Sequence, residues 1–412
     1  MDIRFDKRGF FCYAIGMIPR TLSAKLKKLA SKFPVLAVTG PRQSGKTVLA
    51  RMTFPGYSYV SLENPETRDF ALNDPKGFLG KYDKKVIIDE VQRVPGLFSY
   101  IQGIVDADPF RGRYVLTGSQ QFHLLNKIGQ TLPGRCAYTR LLPFSLAELQ
   151  KRSFKDPFSF PGTGKNAKKS GFSLKNLLFT GMYPPIHDRK IAPGDFFSGY
   201  VAQYVERDIR EILNVGDLTA FGNFLRLCAG RSGQLLNLSS LASDCGISHT
   251  TAGRWLSLLE TCGIIFLLRP FYKNFSKRIV KSPKLYFYDT GLVCYLLRIR
   301  NTADLAGHPL YGSVFETFAV SELYKSFVHR GEESPLYFWR DKTGNEIDFL
   351  FDVKNAVAGE IKAGETVSSV FFKNLLYFNR INSDKARLCL VYGGEESYAR
   401  EGVNILSWKD LP

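Results

Sequence analysis

Acidic residues, paired cysteines and long apolar runs are what this sequence is short of. It carries 38 Asp and Glu against 56 Lys and Arg, a net charge of +18. A surplus of that size says little about fold, but it attracts polyanions such as nucleic acid. The seven cysteines, Cys12, Cys136, Cys228, Cys245, Cys262, Cys294 and Cys389, are scattered, odd in number and never spaced C-x-x-C. That argues against a disulfide framework and a zinc site, and fits a reducing, cytoplasmic environment. No apolar run approaches the roughly 18 residues of a membrane-spanning helix, so no membrane association is expected. No internal repeat is visible. Residues 9–18 follow Arg4, Lys7 and Arg8 like a short signal segment but lack a small-residue cleavage site. They are read as a cytosolic N-terminal extension over 1–17, with Met17 as an alternative start.

What is present alternates. The 412 residues, 44% hydrophobic and 23% charged, suffice for two or three domains with cores of their own. Short apolar runs at 34–39, 57–62, 86–88, 114–116 and 138–142 are separated by helical patterns, which implies a parallel, doubly wound α/β sheet. A Lys-, Gly-, Ser-, Phe- and Pro-rich stretch, 151–173, reads as a loop or lid insertion. From about Gly181 the pattern becomes mainly helical. From Val314 it becomes a small second α/β unit: helix, three strands (336–340, 346–352, 356–362), helix, strand (387–392).

The chemistry begins at Gly40-Pro41-Arg42-Gln43-Ser44-Gly45-Lys46-Thr47, with Val48 opening the next helix. A strand feeds this glycine-rich turn and a helix leaves it, so backbone N–H groups can face the phosphates of ATP. Lys46 is placed for the β- and γ-phosphates and Thr47 for Mg²⁺. The strand Val86-Ile-Ile-Asp89-Glu90 supplies the second half: Asp89 for the Mg²⁺ shell, Glu90 to polarise the attacking water. Ser119, or Thr117, ends a third strand where a γ-phosphate sensor would lie; both are equally ordinary turn residues. Arg135 reads either as an arginine finger for a neighbouring subunit, which implies a homo-oligomer, or as a sheet-edge ion pair.

These motifs, with Leu116-Thr-Gly-Ser119, Leu132-Pro-Gly-Arg135, Leu142-Pro-Phe-Ser-Leu-Ala-Glu148, Tyr204-Val-Glu-Arg-Asp208 and Lys281-Ser-Pro-Lys-Leu-Tyr-Phe-Tyr-Asp289-Thr-Gly-Leu292, resemble one AAA+ group. It comprises prokaryotic ATPases with a conserved C-terminal domain of unknown function, and the likeness runs from about Ile18 to the end. The resemblance implies a P-loop AAA+ parallel-sheet core (18–180, which here includes the lid insertion, a departure from the family's compact pattern), a mainly helical winged-helix domain (181–305) and a small restriction-endonuclease-like α/β domain (306–412).

Two further regions bear on partners. Residues 238–248 read as helix, glycine turn and N-cap, and the following helix presents His249, Thr250, Thr251 and Arg254 in its first turn, as a DNA reader would. The stretch from Arg269 to Lys284 has six basic residues, among them Lys273, Lys277, Arg278 and Lys281, three aromatics and no acid. The other reading is a winged helix that packs against protein, with the aromatics in its core. In the last domain Glu346 and Asp348 share one strand face and Glu360 and Lys362 the next. Together with Glu316 they match the D…ExK pattern of metal-dependent nucleases, with Asp348 and Glu360 on Mg²⁺ and Lys362 at the water. Cross-strand salt bridges on a solvated face, or an inherited fold that only binds DNA, would look the same. The expectation is thus an ATPase acting on DNA; an ATP-gated nuclease and a nucleotide switch for a protein partner are the alternatives.

Overall fold

The computed structural model describes residues 17–118, 131–152, 171–202, 218–271, 282–351, 356–382 and 384–412. Ser119, Lys273, Lys277, Arg278, Lys281, the segment 204–208 and most of the 151–173 insertion lie outside the described residues.

The first body is built on the short apolar runs. Its elements are α1 (Leu22–Ala30), β1 (Val35–Thr39), α2 (Lys46–Thr53), β2 (Ser58–Ser61), α3 (Pro65–Asn73), α4 (Pro75–Lys81), β3 (Val86–Asp89), α5 (Leu97–Ala107), β4 (Tyr114–Thr117) and β5 (Cys136–Arg140). Both α3 and α4 start with proline at the first helical position, behind side-chain caps from Asn64 and Asp74. The five strands run parallel in the order β2-β3-β4-β1-β5. Every residue of β1 is buried. Val35 and Ala37 pack with α5, while Leu36 and Val38 pack with α1 and α2 on the opposite face. Because the strands are parallel, the turns after β1 and β3 leave the same edge of the sheet. Strand β5 begins at Cys136, earlier than the expected 138, and ends at Arg140, which frees Leu141 and Leu142 to turn back beneath the glycine-rich loop.

Then come α6 (Leu146–Leu149), α7 (Pro184–Asp188), α8 (Leu218–Gly230), α9 (Leu238–Asp244), α10 (His249–Thr261), and an antiparallel hairpin of β6 (Ile265–Leu268) and β7 (Lys284–Phe287). Asn237 caps α9 and Ser248 caps α10. Helix α11 (Tyr311–Val328) follows, buried along most of its length, with Glu316, Glu322 and Lys325 held among its apolar residues. It covers one face of a mixed sheet of β8 (Leu336–Arg340), β9 (Glu346–Phe351), β10 (Val357–Lys362), β11 (Arg387–Tyr392), β12 (Tyr398–Arg400) and β13 (Val403–Ser407). Helix α12 (Lys373–Ile381) covers the other face. The strand order is β12-β13-β11-β10-β9-β8. One apolar core runs without interruption from Leu142 through the middle helices and α11 to Leu411.

Candidate functional sites

The loop after β1 is shaped by three left-handed or extended-positive residues. Gly40 has φ 146°, Gln43 59° and Gly45 91°. A Cβ on Gly40 would lie 1.9 Å from the Leu141 carbonyl oxygen, so only glycine fits there. The turn aims the N-terminus of α2 into a cleft of about 460 Å³ lined by Arg42, Gln43, Lys46, Thr47, Val48 and Glu90. Pro184, Asp188 and Arg189, on and after α7, close its far wall. Lys46 is buried, and its ammonium donates to the carbonyls of Gly40 (3.1 Å) and Pro41 (2.8 Å). Ser44 is fully buried with its hydroxyl unpaired.

Across the cleft the Asp89 carboxylate accepts from the Thr47 hydroxyl at 3.0 and 3.1 Å, from the Tyr59 hydroxyl at 2.9 Å and from the Thr117 hydroxyl. Burial, then the Asp89 charge, pushes the Tyr59 phenol well above its usual range, so it stays a donor. Glu90 takes a left-handed conformation, φ 53°, and its carboxylate accepts from the Gln92 amide. Thr47 and Asp89 are thus hard oxygen donors facing each other, a set suited to Mg²⁺. Thr117 is tied to Asp89. Arg135 pairs with Asp106 at the opposite end of β5, about 16 Å of strand away from this cleft.

The loop has a buried brace that joins Glu148, the end of the Leu142–Glu148 motif, to an arginine that no motif announced. The Arg20 guanidinium donates to the carbonyls of Ser44 (2.8 Å) and Leu142 (2.6 Å) and to Glu148 (3.1 Å). Glu148 also accepts from the amides of Thr21 and Ser145. Burial alone would raise its pKa, but Arg20, His329 and these amides hold it at about 2. The far side of the brace belongs to α11 and its C-cap: Glu322 accepts from the Leu146 amide, Lys325 donates to the Phe144 carbonyl, and His329 Nδ1 lies 3.4 Å from Glu148. Helix α11 therefore backs the nucleotide loop at one end and carries Glu316 near the other.

Burial lowers the pKa of His329 to about 4; Arg20 and Lys325 add to the depression and Glu148 only partly opposes it. The unfolded ring protonates at about 6.5. The contribution of neutral His329 is therefore intact above about pH 6.5 and lost as the pH falls toward 4, roughly 2 kcal/mol of it by about pH 5. Thermal midpoints followed between about pH 7.5 and 5 should fall less steeply in His329→Gln than in the parent chain. Equal slopes would mean the ring does not titrate against the fold.

In the C-terminal sheet, the register Phe349↔Gly359 sets Asp348 beside Glu360 on adjoining antiparallel strands. Residues 352–355, between the two strands, lie outside the described residues, and with them the turn expected at Lys354-Asn355. Asp348 accepts from the Ile361 amide at 2.7 Å, and Lys362 donates to Glu360 at 2.5 Å and lies 3.8 Å from Asp348. Glu316, Glu346, Asp348, Glu360 and Lys362 do converge. Burial first, and then repulsion from Asp348, raise Glu360 to about 7 and raise Glu316.

The cluster also contains a residue that sequence reading assigned to the DNA-facing basic stretch. Lys284 is 3% exposed and points inward. Its ammonium lies 3.1 Å from Glu316 and 3.8 Å from Asp348 and pairs with Glu346, whose other oxygen accepts from Arg340. The only signal in the sequence was its place at the head of an apolar strand, Lys284-Leu-Tyr-Phe. Among the described residues, no group of three or more His, Cys, Asp or Glu side chains is arranged to hold a metal ion. As arranged, these carboxylates fit an ammonium group.

On α10, His249, Thr250 and Arg254 are exposed, whereas Thr251 is half-buried and its hydroxyl meets the Ser248 cap at 2.9 Å. Trp255 packs edge-on against Phe221 and Phe224 beneath them.

Residues 32–150 match a family model described as an AAA domain. Residues 171–303 and 311–411 match two domains of unknown function, DUF8612 and DUF4143. Two uncharacterized proteins, from Mycobacterium bovis and Mycobacterium tuberculosis, are each 29% identical over 388 residues, covering 92% of this chain and 81% of theirs. Among solved structures, the Walker-type ATPase of Pyrococcus abyssi aligns with a TM-score of 0.44 and 13% identity, over 72% of this chain and all but 1% of that one (99%). AMPPCP-bound DnaA from Aquifex aeolicus aligns with a TM-score of 0.28 and 14% identity, over 58% and 85%. By the match over residues 32–150, the chain carries an AAA-type, nucleotide-dependent ATPase domain. No helix among the described residues is long and apolar enough to cross a membrane.

Proposed function

We propose that this chain is a cytoplasmic, Mg²⁺-dependent ATPase whose nucleotide state is coupled to DNA held by its middle and C-terminal regions. The observation that carries the ATPase half is the pair Thr47 and Asp89, facing each other at 3.0–3.1 Å beside Lys46 and Glu90. Lys46 would leave the Gly40 and Pro41 carbonyls for the β- and γ-phosphates, cradled by the backbone N–H groups of residues 42–48. Thr47 and Asp89 would hold Mg²⁺, which when bound offsets phosphate charge. Glu90 would orient the attacking water. Arg135 is paired with Asp106 and would have to leave that pair to act as an arginine finger on a neighbouring chain's nucleotide in a homo-oligomer.

For the DNA half, a helix–turn–helix followed by a two-stranded hairpin, with His249, Thr250 and Arg254 exposed on the second helix, supports a winged helix over 181–305. Helix, three strands, helix and strand, with carboxylates converging from α11, β9 and β10, support a nuclease-like fold over 306–412. Helix α11 joins that region to the brace under the nucleotide loop, so a shift at either end would be felt at the other.

ATP hydrolysis by the purified chain, with and without duplex or single-stranded DNA across a salt series, tests the coupling. Stimulation by DNA that fades as salt rises is expected. Hydrolysis indifferent to DNA at every salt concentration would refute the DNA half and leave a nucleotide switch for a protein partner.

A further inference from the structure

We propose that Lys284 is a tethered cation occupying the metal position of the C-terminal carboxylate cluster, so that the cluster as folded admits no divalent ion. The inference goes beyond the ATPase reading and does not depend on it.

The cluster draws Glu316 from α11, Glu346 and Asp348 from β9 and Glu360 from β10, all in a largely buried setting. Four carboxylates brought so close repel one another unless cations stand between them. Lys362 and Arg340 serve the two ends, on Glu360 and Glu346. The middle, bounded by Glu316, Glu346 and the inner oxygen of Asp348, is filled by the Lys284 ammonium. A Mg²⁺ or Mn²⁺ ion there would need the same oxygens at about 2.0–2.2 Å with several waters retained. One pocket of that size admits one cation, and the lysine is already in it.

Lys284 is not a member of the sheet it neutralises. It begins β7, whose partner β6 belongs to the hairpin that follows the helix–turn–helix. Strand β7 is buried along its length and packs with α11 in the shared apolar core, and polar ties fix the hairpin to the C-terminal unit as well. Phe271 donates from its amide to the Phe338 carbonyl at 2.7 Å, Phe338 returns a bond to Arg269 at 3.1 Å, and the Tyr286 hydroxyl donates to Glu316 at 2.6 Å. Loss of the Lys284 ammonium would leave Glu316 with the Tyr286 hydroxyl alone. Arg340 would still serve Glu346 and Lys362 would still lie by Asp348, but the middle of the cluster would lack a cation, an arrangement that recruits a divalent ion.

The test is Mn²⁺ binding to the nucleotide-free full chain, read by electron paramagnetic resonance of free Mn²⁺. The parent chain and Asp348→Asn should bind the same number of ions. Lys284→Met should bind one more Mn²⁺ per chain, and Lys284→Met with Asp348→Asn should lose it again. A folded Lys284→Met chain, judged by circular dichroism, that gains no ion would overturn the proposal. So would a parent chain that binds one more Mn²⁺ than Asp348→Asn, a comparison that decides the matter even if Lys284→Met does not fold.

Discussion

Glu90→Gln should slow ATP hydrolysis by about 10²–10⁴-fold while nucleotide affinity stays within about twofold. The carboxylate sits one residue past the Asp89 that faces Thr47, on the rim of the same cleft. Its backbone is left-handed, a conformation that costs a non-glycine residue about 1–2 kcal/mol and that the chain keeps only because surrounding contacts enforce it. The turn of residues 91–93 and the Gln92 amide hold the side chain in that orientation. Glutamine preserves size and hydrogen bonding but cannot accept a proton, so binding and turnover should separate. Phosphate release and fluorescent-nucleotide titration measure the two. A variant that keeps more than about a tenth of parental turnover would show that another group positions the water.

Arg20→Met should cost about 3–5 kcal/mol of stability, because it strands the Glu148 carboxylate in a fully buried site. Arg20 and Glu148 are 5% and 1% exposed at their side chains, so solvent screens the pair little. The same change frees the Ser44 carbonyl, and with it the turn that presents Lys46, so nucleotide affinity should fall along with stability. Denaturant titration and nucleotide binding report the two effects. The double variant Arg20→Met with Glu148→Met should recover part of the stability, since removing both charges leaves none unpaired, but not the affinity, since Ser44 remains untethered. A loss below about 1 kcal/mol in the single variant would place the pair among weak surface bridges and refute the brace.

Much of the nucleotide cleft was legible in the chain because its chemistry is local. A five-residue apolar strand, a turn that only glycine can make at Gly40, and a helix that starts at Lys46 follow one another without a gap. Val86 to Glu90 is likewise a buried strand with its carboxylates at the end. The carboxylate strands were legible for the same reason, since a period of two puts Glu346 with Asp348 and Glu360 with Lys362 whatever the tertiary fold. Tyr59 was not, because nothing in the pattern tells a partner of Asp89 from an ordinary strand residue.

Lys284 was read in the wrong direction. In a basic run without acids, composition points a lysine at solvent and phosphate, and only the packing of β7 against α11 turns this one inward onto Glu316. The brace depended still more on tertiary structure. Arg20 and Glu148 are 128 residues apart, and Lys325 lies 181 residues from the Phe144 carbonyl it grips. Local pattern alone determined the parallel sheet, the nucleotide loop with its Thr47 and Asp89, and the paired carboxylates. Only the tertiary structure decided which cations stand against those carboxylates and which helix stands behind the loop. Strand alternation and glycine turns are properties of neighbouring residues, whereas the partner of a buried charge is chosen by whatever the folded chain brings beside it.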